Sequence, residues 1–486
     1  MIATQRPGSG NSYNLLYVSG ITAVAALGGL LFGYDWVVIG GAKPFYEPYF
    51  NLTSAASIGW ANSSALIGCL VGAMICGALS DRVGRKRPLI LSAFLFAVSS
   101  VFTGSVHSFS AFVTWRILGG VAIGMASHAA PIYIAEVGPA PWRGRLVAVN
   151  QLTVVVGILL AQVINWLIAE PVPNAATAQM IRASWNGQWG WRWMFVAVAV
   201  PSAVFLFCAL FIPESPRWLI QRGEGNRGLE ILRRIGGVAY AERTLREIQT
   251  SIAIETGAGG SLQELLTPRV VGVLLTGIGL AALQQWSGIN ILFNYAEEIY
   301  RHAGYDVNGL LFNIVITGTV NLVCTLLALR WIDRIGRRAL MLLGYAGVAC
   351  SHLLLGFCYA KGLQGLPILV LTLAAIGCYA MSLAPITWVL ISELFPNRIR
   401  GLGVSIAVSA LWIACFALTF TFPSLIRSAG VAQTFWLYGA ICAAGFVFVL
   451  LRVPETKGKT LEDIEHELTR PAAGSLHPGT KRGSSS

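Results

Sequence analysis

Apolar residues run along this chain in long blocks separated by short polar turns. About twelve blocks can be drawn, near 15–41, 56–80, 87–106, 110–136, 146–168, 191–212, 269–300, 308–330, 338–360, 365–394, 401–425 and 431–451. About 20 apolar residues in a helix cross the hydrocarbon core of a bilayer. The pattern therefore predicts an all-α membrane protein with twelve transmembrane helices. A repeat runs through it. Asp81-Arg82-Val83-Gly84-Arg85-Lys86 returns as Asp333-Arg334-Ile335-Gly336-Arg337-Arg338, and Pro213-Glu214-Ser215-Pro216-Arg217 is echoed by Pro454-Glu455-Thr456-Lys457-Gly458. Glu136 with Arg143-Gly144-Arg145 returns as Glu393 with Arg398-Ile399-Arg400-Gly401. The chain thus divides into a tail at 1–14, a six-helix half at 15–212, a linker at 213–268, a second six-helix half at 269–451 and a tail at 452–486. Arg227–Arg234 and Ala241–Ile254 in the linker have the periodicity of short amphipathic helices. The end of the second tail is rich in Gly, Ser and Pro and reads as disordered.

Only 12% of the residues are charged and 55% are hydrophobic. A soluble domain carries about 25% charged residues, so a lipid-facing surface explains the deficit. The net charge of +12 lies in short runs between blocks and not in a continuous basic patch with aromatics, which excludes nucleic acid as a partner. Asp81–Arg87, Arg143 and Arg145, Arg334–Arg338, and Arg398 and Arg400 fall on one side if spans alternate; the other side has few bases, such as Lys43, Arg182, Arg301, Lys361 and Arg427. By the positive-inside rule the Arg-rich side is cytoplasmic and so are both termini. The first 14 residues show no signal-peptide pattern, and the first block is expected to stay as a span. All nine cysteines lie in apolar blocks with no C-x-x-C pair, which argues for packing and against disulfides or a metal. Gly458-Lys459-Thr460 looks like the end of a P-loop, but Val453 stands where its first Gly is required. No cofactor is expected.

Several motifs occur together: Gly33-Tyr34-Asp35, the two D-R-x-G-R loops, Pro131-Ile132-Tyr133-Ile134-Ala135-Glu136, Pro213–Leu219, Gln284-Gln285-Trp286-Ser287-Gly288-Ile289-Asn290 and Pro454–Gly458. With them the chain resembles the sugar porter family of the major facilitator superfamily, from about Tyr17 to Glu465. That family includes bacterial proton–xylose and proton–arabinose symporters and facilitative glucose transporters. The resemblance implies a major facilitator fold and import of a monosaccharide, a pentose or a hexose, by alternating access. It also implies a monomer in the cell membrane with a sugar, a proton and the lipid bilayer as partners, and no enzyme activity. A passive uniporter of the same fold is the alternative, and a sensor that binds sugar without moving it is a third reading.

Asp35 is the one acidic residue well inside the first six blocks, and a carboxylate at membrane depth is costly enough to suggest function. Counted from the block ends, Asp35 and Arg116 both lie about 9 Å below the surface opposite the Arg-rich loops. They can pair, either as a proton-coupling switch or as a static tie between helices. The resemblance favours coupling, because proton-driven members have Asp at this position and passive ones Asn. His128 is a rival proton site. Sugars present hydroxyl rims and C–H faces, which amides and indoles match. Gln151, Gln284, Gln285, Asn290, Asn321, Trp388 and Trp412 are the candidate sugar ligands, each at a sugar-contacting position of the family pattern; the other reading is hydrogen-bonded glue between helices. Asn290 joins the two glutamines only if the helix deforms, for which Gly288 is suited. Leu411, Cys415, Asn294 and Ala380 depart from the pockets of known members and leave the sugar open. Asp81, Arg82, Arg85, Glu136, Arg145, Glu214, Arg217, Asp333, Arg334, Arg337, Glu393 and Arg400 lie at helix ends on the Arg-rich side. The resemblance implies cross-half ion pairs among them that close an inner gate; simple control of topology is the alternative.

Overall fold

A computed structural model describes residues 13–173, 176–257, 267–395 and 400–457. Its helices include 12 that are long and apolar enough to cross a membrane. They are Leu15–Phe50, Ala55–Val83, Lys86–Ser105, Phe109–Val137, Arg143–Ile168 and Asn186–Phe211 in the first half. In the second half they are Val270–Asn294, Val307–Trp331, Arg337–Ala360, Leu366–Ile391, Gly401–Ala429 and Val431–Arg452. Among the described residues there is no strand.

Several spans start where a short polar side chain precedes an apolar block. Asn14, Ser54, Ser108 and Asp306 accept hydrogen bonds from the backbone N–H of Tyr17, Ser57, Ala111 and Gly309. Each satisfies a donor that the first helical turn leaves open. Tails of lipid do not drive helices together, so close backbone approach must do so. A Cβ on Gly33 of the first span would sit 1.9 Å from the carbonyl O of Val154, and one on Gly157 of the fifth would sit 2.0 Å from that of Leu30. No larger residue fits at that crossing. Between the halves, the second span packs on the eleventh and the fifth on the eighth.

The blocks differ from the spans in informative ways. The first span runs on past Gly41, through Pro44 and Pro48, to Phe50. The seventh block is broken into Pro268–Gln285, Ile289–Asn294 and Ala296–His302, and the tenth is interrupted at Ser382. In the linker, Pro216–Gln221 and Gly225–Gly257 are helical, the second with a kink at Gly236 and Gly237. Leu232, Ile235, Tyr240 and Ala241 pack on Val18 and Tyr13 at the start of the first span. The linker is thus anchored to the first half.

The two repeated loops are built alike. Glu214 accepts the backbone N–H of Arg85 at 2.8 Å and of Lys86 at 3.1 Å. Glu455 accepts those of Arg337 at 2.9 Å and Arg338 at 3.1 Å. Each carboxylate therefore caps the helix that follows its own half's D-R-x-G-R loop. Burial raises the pKa of the Glu455 carboxyl, but backbone N–H groups of Lys457, Arg337, Arg338 and Ala339 outweigh it and hold the group below the ordinary value. The loop glycines make room: Gly84 has φ +99 and ψ 176, and a Cβ there would lie 2.1 Å from Glu214 Oε2. That backbone region belongs almost only to glycine, at a cost of about 1–3 kcal/mol for other residues. Gly84→Ala is therefore expected to lower stability by at least that much, read as a falling thermal midpoint of the protein in detergent. An unchanged midpoint would show the loop to be tolerant.

Candidate functional site

A cavity of about 840 Å³ lies between the halves. Gln151, Gln284, Gln285, Asn290, Asn321, Trp388 and Trp412 all line it. Pro141, Gly144, Arg145 and Arg337 line it too, so it reaches the Arg-rich side. The opposite side is shut by contacts between the halves. Val172 N–H donates to Asn308 Oδ1 at 3.1 Å, Asn308 Nδ2 donates to Val172 O at 3.0 Å, and Arg427 donates to Thr53 O at 2.7 Å.

The break in the seventh span assembles the polar wall. Gly288 takes φ +84, and the helix restarts at Ile289. Asn290 Nδ2 then donates to Gln285 Oε1 at 2.5 Å, Gln285 Nε2 to Gln284 Oε1 at 2.6 Å, and Gln284 Nε2 to Tyr379 Oη at 2.5 Å. These amides form one polarised chain with fixed directions, which presents defined donors and acceptors to a polyol. Across from it stand Phe32, Trp36 and Trp412, with ring centroids 5.9–6.2 Å apart. The buried Trp412 Nε1–H has no protein acceptor. A cluster of aromatic rings set at 52–83° to one another, with one spare donor, together with a row of amides suits a ring with an apolar face and a hydroxyl rim.

Asp35 and Arg116 meet behind this wall. Arg116 Nη1 donates to Asp35 Oδ1 at 2.9 Å and Nη2 to the Asp35 carbonyl at 3.3 Å, and the two side chains are 5% and 3% exposed. The guanidinium also lies over the Phe195 ring. Asp35 Oδ2 is buried with no partner. The next residue, Trp36, lines the cavity. His128 is half-buried beside Gly77 on the second span.

The sequence matches the family "Sugar (and other) transporter" over residues 21–468. The chain belongs to this transporter family. It is 37% identical to the D-xylose-proton symporter of Escherichia coli, over 93% of this chain and 96% of that protein. It is 38% identical to the arabinose-proton symporter of Bacillus subtilis, over 93% and 96%. It is 37% identical to a glucose transport protein of Synechocystis, over 94% and 98%. Its fold is similar to the inward-open conformation of the E. coli xylose transporter, with a TM-score of 0.80, 35% identity and coverage of 93% and 99%.

In this transporter three ion pairs among the described residues of the Arg-rich side lie within a half. Arg85 contacts Glu136 at 3.0 Å and Asp81 at 3.3 Å, and Arg337 contacts Glu393 at 3.8 Å. Arg145 lies over the Trp142 ring, Arg217 donates to Ser251 Oγ, and the carbonyls of Arg82 and Arg334 accept from Arg222 and Lys457. The Glu214 carboxylate is engaged by backbone N–H groups. The side chains of Asp333 and Arg400 lie outside the described residues.

Four functional features escaped the sequence reading. Tyr379, Phe32 and Trp36 complete the cavity wall, and aromatic residues in apolar blocks give no sign of which one faces inward. His352 is the fourth. It is fully buried, and its Nε2 lies 2.8 Å from the carbonyl O of Ser287, at the break. A carbonyl only accepts, so Nε2 carries the proton. A buried carbonyl stripped of its donor costs about 1–3 kcal/mol. His352→Leu is therefore expected to lower the thermal midpoint and loosen the Asn290 register, while His352→Gln, which keeps a donor, restores part of both. Equal behaviour of the two variants would make His352 simple packing.

Proposed function

We propose that this protein is a proton-coupled symporter that imports a monosaccharide by alternating access. It acts as a monomer in the cell membrane, with the Arg-rich side and both termini in the cytoplasm. On that orientation the cavity faces inward and the structure is an inward-open state. The substrate is a pentose or hexose, in line with the xylose, arabinose and glucose named for its relatives.

The observation that carries the reading is the state of Asp35. One carboxylate oxygen is held by Arg116 and the other is buried and unpaired, one residue from the cavity wall. An adjacent guanidinium favours the charged carboxylate, and desolvation favours the neutral one. When the pair loosens, Asp35 takes up a proton; when it re-forms, the proton leaves. A passive carrier needs no such group. On the Arg-rich side, the ion pairs now within halves exchange for cross-half pairs when the cavity closes inward, which gives the inner gate.

Two measurements test the parts separately. Gln284→Ala and Trp388→Ala each weaken sugar binding by about 1–3 kcal/mol, read by calorimetry on protein whose thermal midpoint is unchanged. Unaltered affinity in both removes them from the site. Asp35→Asn keeps the shape but cannot titrate. One proton charge gains about 2.3 kcal/mol per 100 mV, so proteoliposomes with a proton gradient should accumulate sugar with the native protein and only equilibrate it with the variant. Sugar binding and counterflow persist in the variant. If the variant still concentrates sugar, Asp35 is a static tie and His128 is the next candidate.

A further inference from the structure

Outside the transport cavity, a cluster of charges surrounds the buried Lys43, near the end of the first span away from the Arg-rich side. Lys43 is 1% exposed. Its Nζ contacts Glu297 Oε2 at 2.7 Å, Glu47 Oε1 at 3.1 Å, and Glu298 Oε1, and it lies 5.4 Å from the centre of the Tyr295 ring. Glu297 is also 1% exposed and pairs with Arg301 on its other oxygen. Lys43 and Glu47 belong to the first half; Tyr295, Glu297, Glu298 and Arg301 belong to the second.

The placement gives the cluster a job. Glu297 and Glu298 sit on the helix Ala296–His302, immediately after the segment Ile289–Asn294 that brings Asn290 and Phe293 to the cavity. Breaks on both sides make that segment movable as a unit. Holding it against the first span needs a strong, directional contact, and the carboxylates of Glu297 and Glu298 on one buried ammonium supply it. We infer that Lys43 is a positioning residue for transport: it latches the outer half of the seventh span over the sugar site, and the latch opens whenever the cavity opens outward. This rests on the alternating-access reading above. In the closed state the second half's Glu297, Glu298 and Arg301 carry a formal charge of −1 and draw on the first half's Lys43, which Glu47 alone would otherwise balance. Removing one partner of a buried pair leaves an uncompensated charge, so loss of Lys43 penalises the closed outer side and leaves the open one, where the carboxylates meet water, much less affected.

The test uses full-length protein in proteoliposomes and a cysteine placed at Val37, which is buried among residues of both halves in the closed form. A membrane-impermeant maleimide is added from the outer side, and labelling without the Val37 cysteine is subtracted. Lys43→Met should raise labelling about tenfold or more and slow net uptake. Lys43→Arg should keep labelling near the native level, and Lys43→Glu combined with Glu297→Lys should bring it back toward that level. Glu297→Gln with Glu298→Gln should also raise labelling, which serves if Lys43→Met does not fold. Native labelling in Lys43→Met and in the double glutamine variant would overturn the latch. Equal labelling in the methionine and arginine variants would also overturn it, leaving Lys43 a packing residue. Sugar counterflow by the parent protein is the separate arm: its absence would overturn the transport reading itself.

Discussion

A membrane helix can be interrupted only where the polar groups it frees find partners, because hydrocarbon offers none. The seventh span meets that condition at Trp286, Ser287 and Gly288. Ser287 Oγ donates to Gln284 O at 2.7 Å, His352 Nε2 donates to Ser287 O, and Trp286 Nε1 donates to Ala414 O at 3.0 Å. A hydroxyl of the span itself and a histidine of the ninth span thus take up carbonyls at the break, and Trp286 ties it to the eleventh span. The site depends on this. On an unbroken helix, residues five apart point about 140° away from each other, and Asn290 could not reach Gln285. The break turns two faces of one helix into one wall. It also frees the outer segment to move as a separate body, which an intact helix through Glu297 would forbid.

The first span answers with two buried charges of opposite sign. Asp35 and Lys43 are eight residues apart, about 12 Å along the axis, and their partners differ in kind. Arg116 is in the same half, so the Asp35 pair survives a rigid rotation of one half against the other and yields only to a local change. Glu297 and Glu298 are in the other half, so the Lys43 pairs cannot survive it. Buried ion pairs contribute little net stability against an apolar replacement, and their best-attested use is to select one arrangement over another. One helix therefore carries one ion pair confined to its own half and one that bridges the halves.

Much of this was legible in the sequence. The twelve spans, the duplicated halves and seven of the residues that line the cavity follow from block lengths, repeats and polar side chains in apolar surroundings, together with the family motifs. The charge cluster around Lys43 was not legible. Lys43, followed by Pro44 and Pro48, reads as the end of a span and a loop base, because a charge and a proline normally stop an apolar helix. Here the helix continues to Phe50 and the lysine is buried. Its partners lie 254 and 255 residues away, a separation that no local pattern encodes. Glu214 shows the same limit: its charge is visible in the sequence, but its capping of the third span is a property of the folded loop.

The division of labour in the cavity carries a consequence for coupling. Its amide chain, Asn290 to Gln284 and Tyr379, belongs to the second half, whereas Phe32, Trp36, Asn150 and Gln151 belong to the first. The eleventh span contributes Leu411 and Trp412 to the lining, and its Cys415 accepts from Asn290 at 3.1 Å. A ligand fixed by the amides gains its remaining contacts only if the first half closes upon it. A ligand shifts an equilibrium by its differential affinity for the two states. Contacts split between halves make that difference large, since each half alone offers an incomplete site. Trp36, which moves with the first half, is the neighbour of Asp35. On the proposed coupling role, a ligand touching Trp36 lies one peptide unit from the Asp35–Arg116 pair, so the local change that loosens the pair would start there.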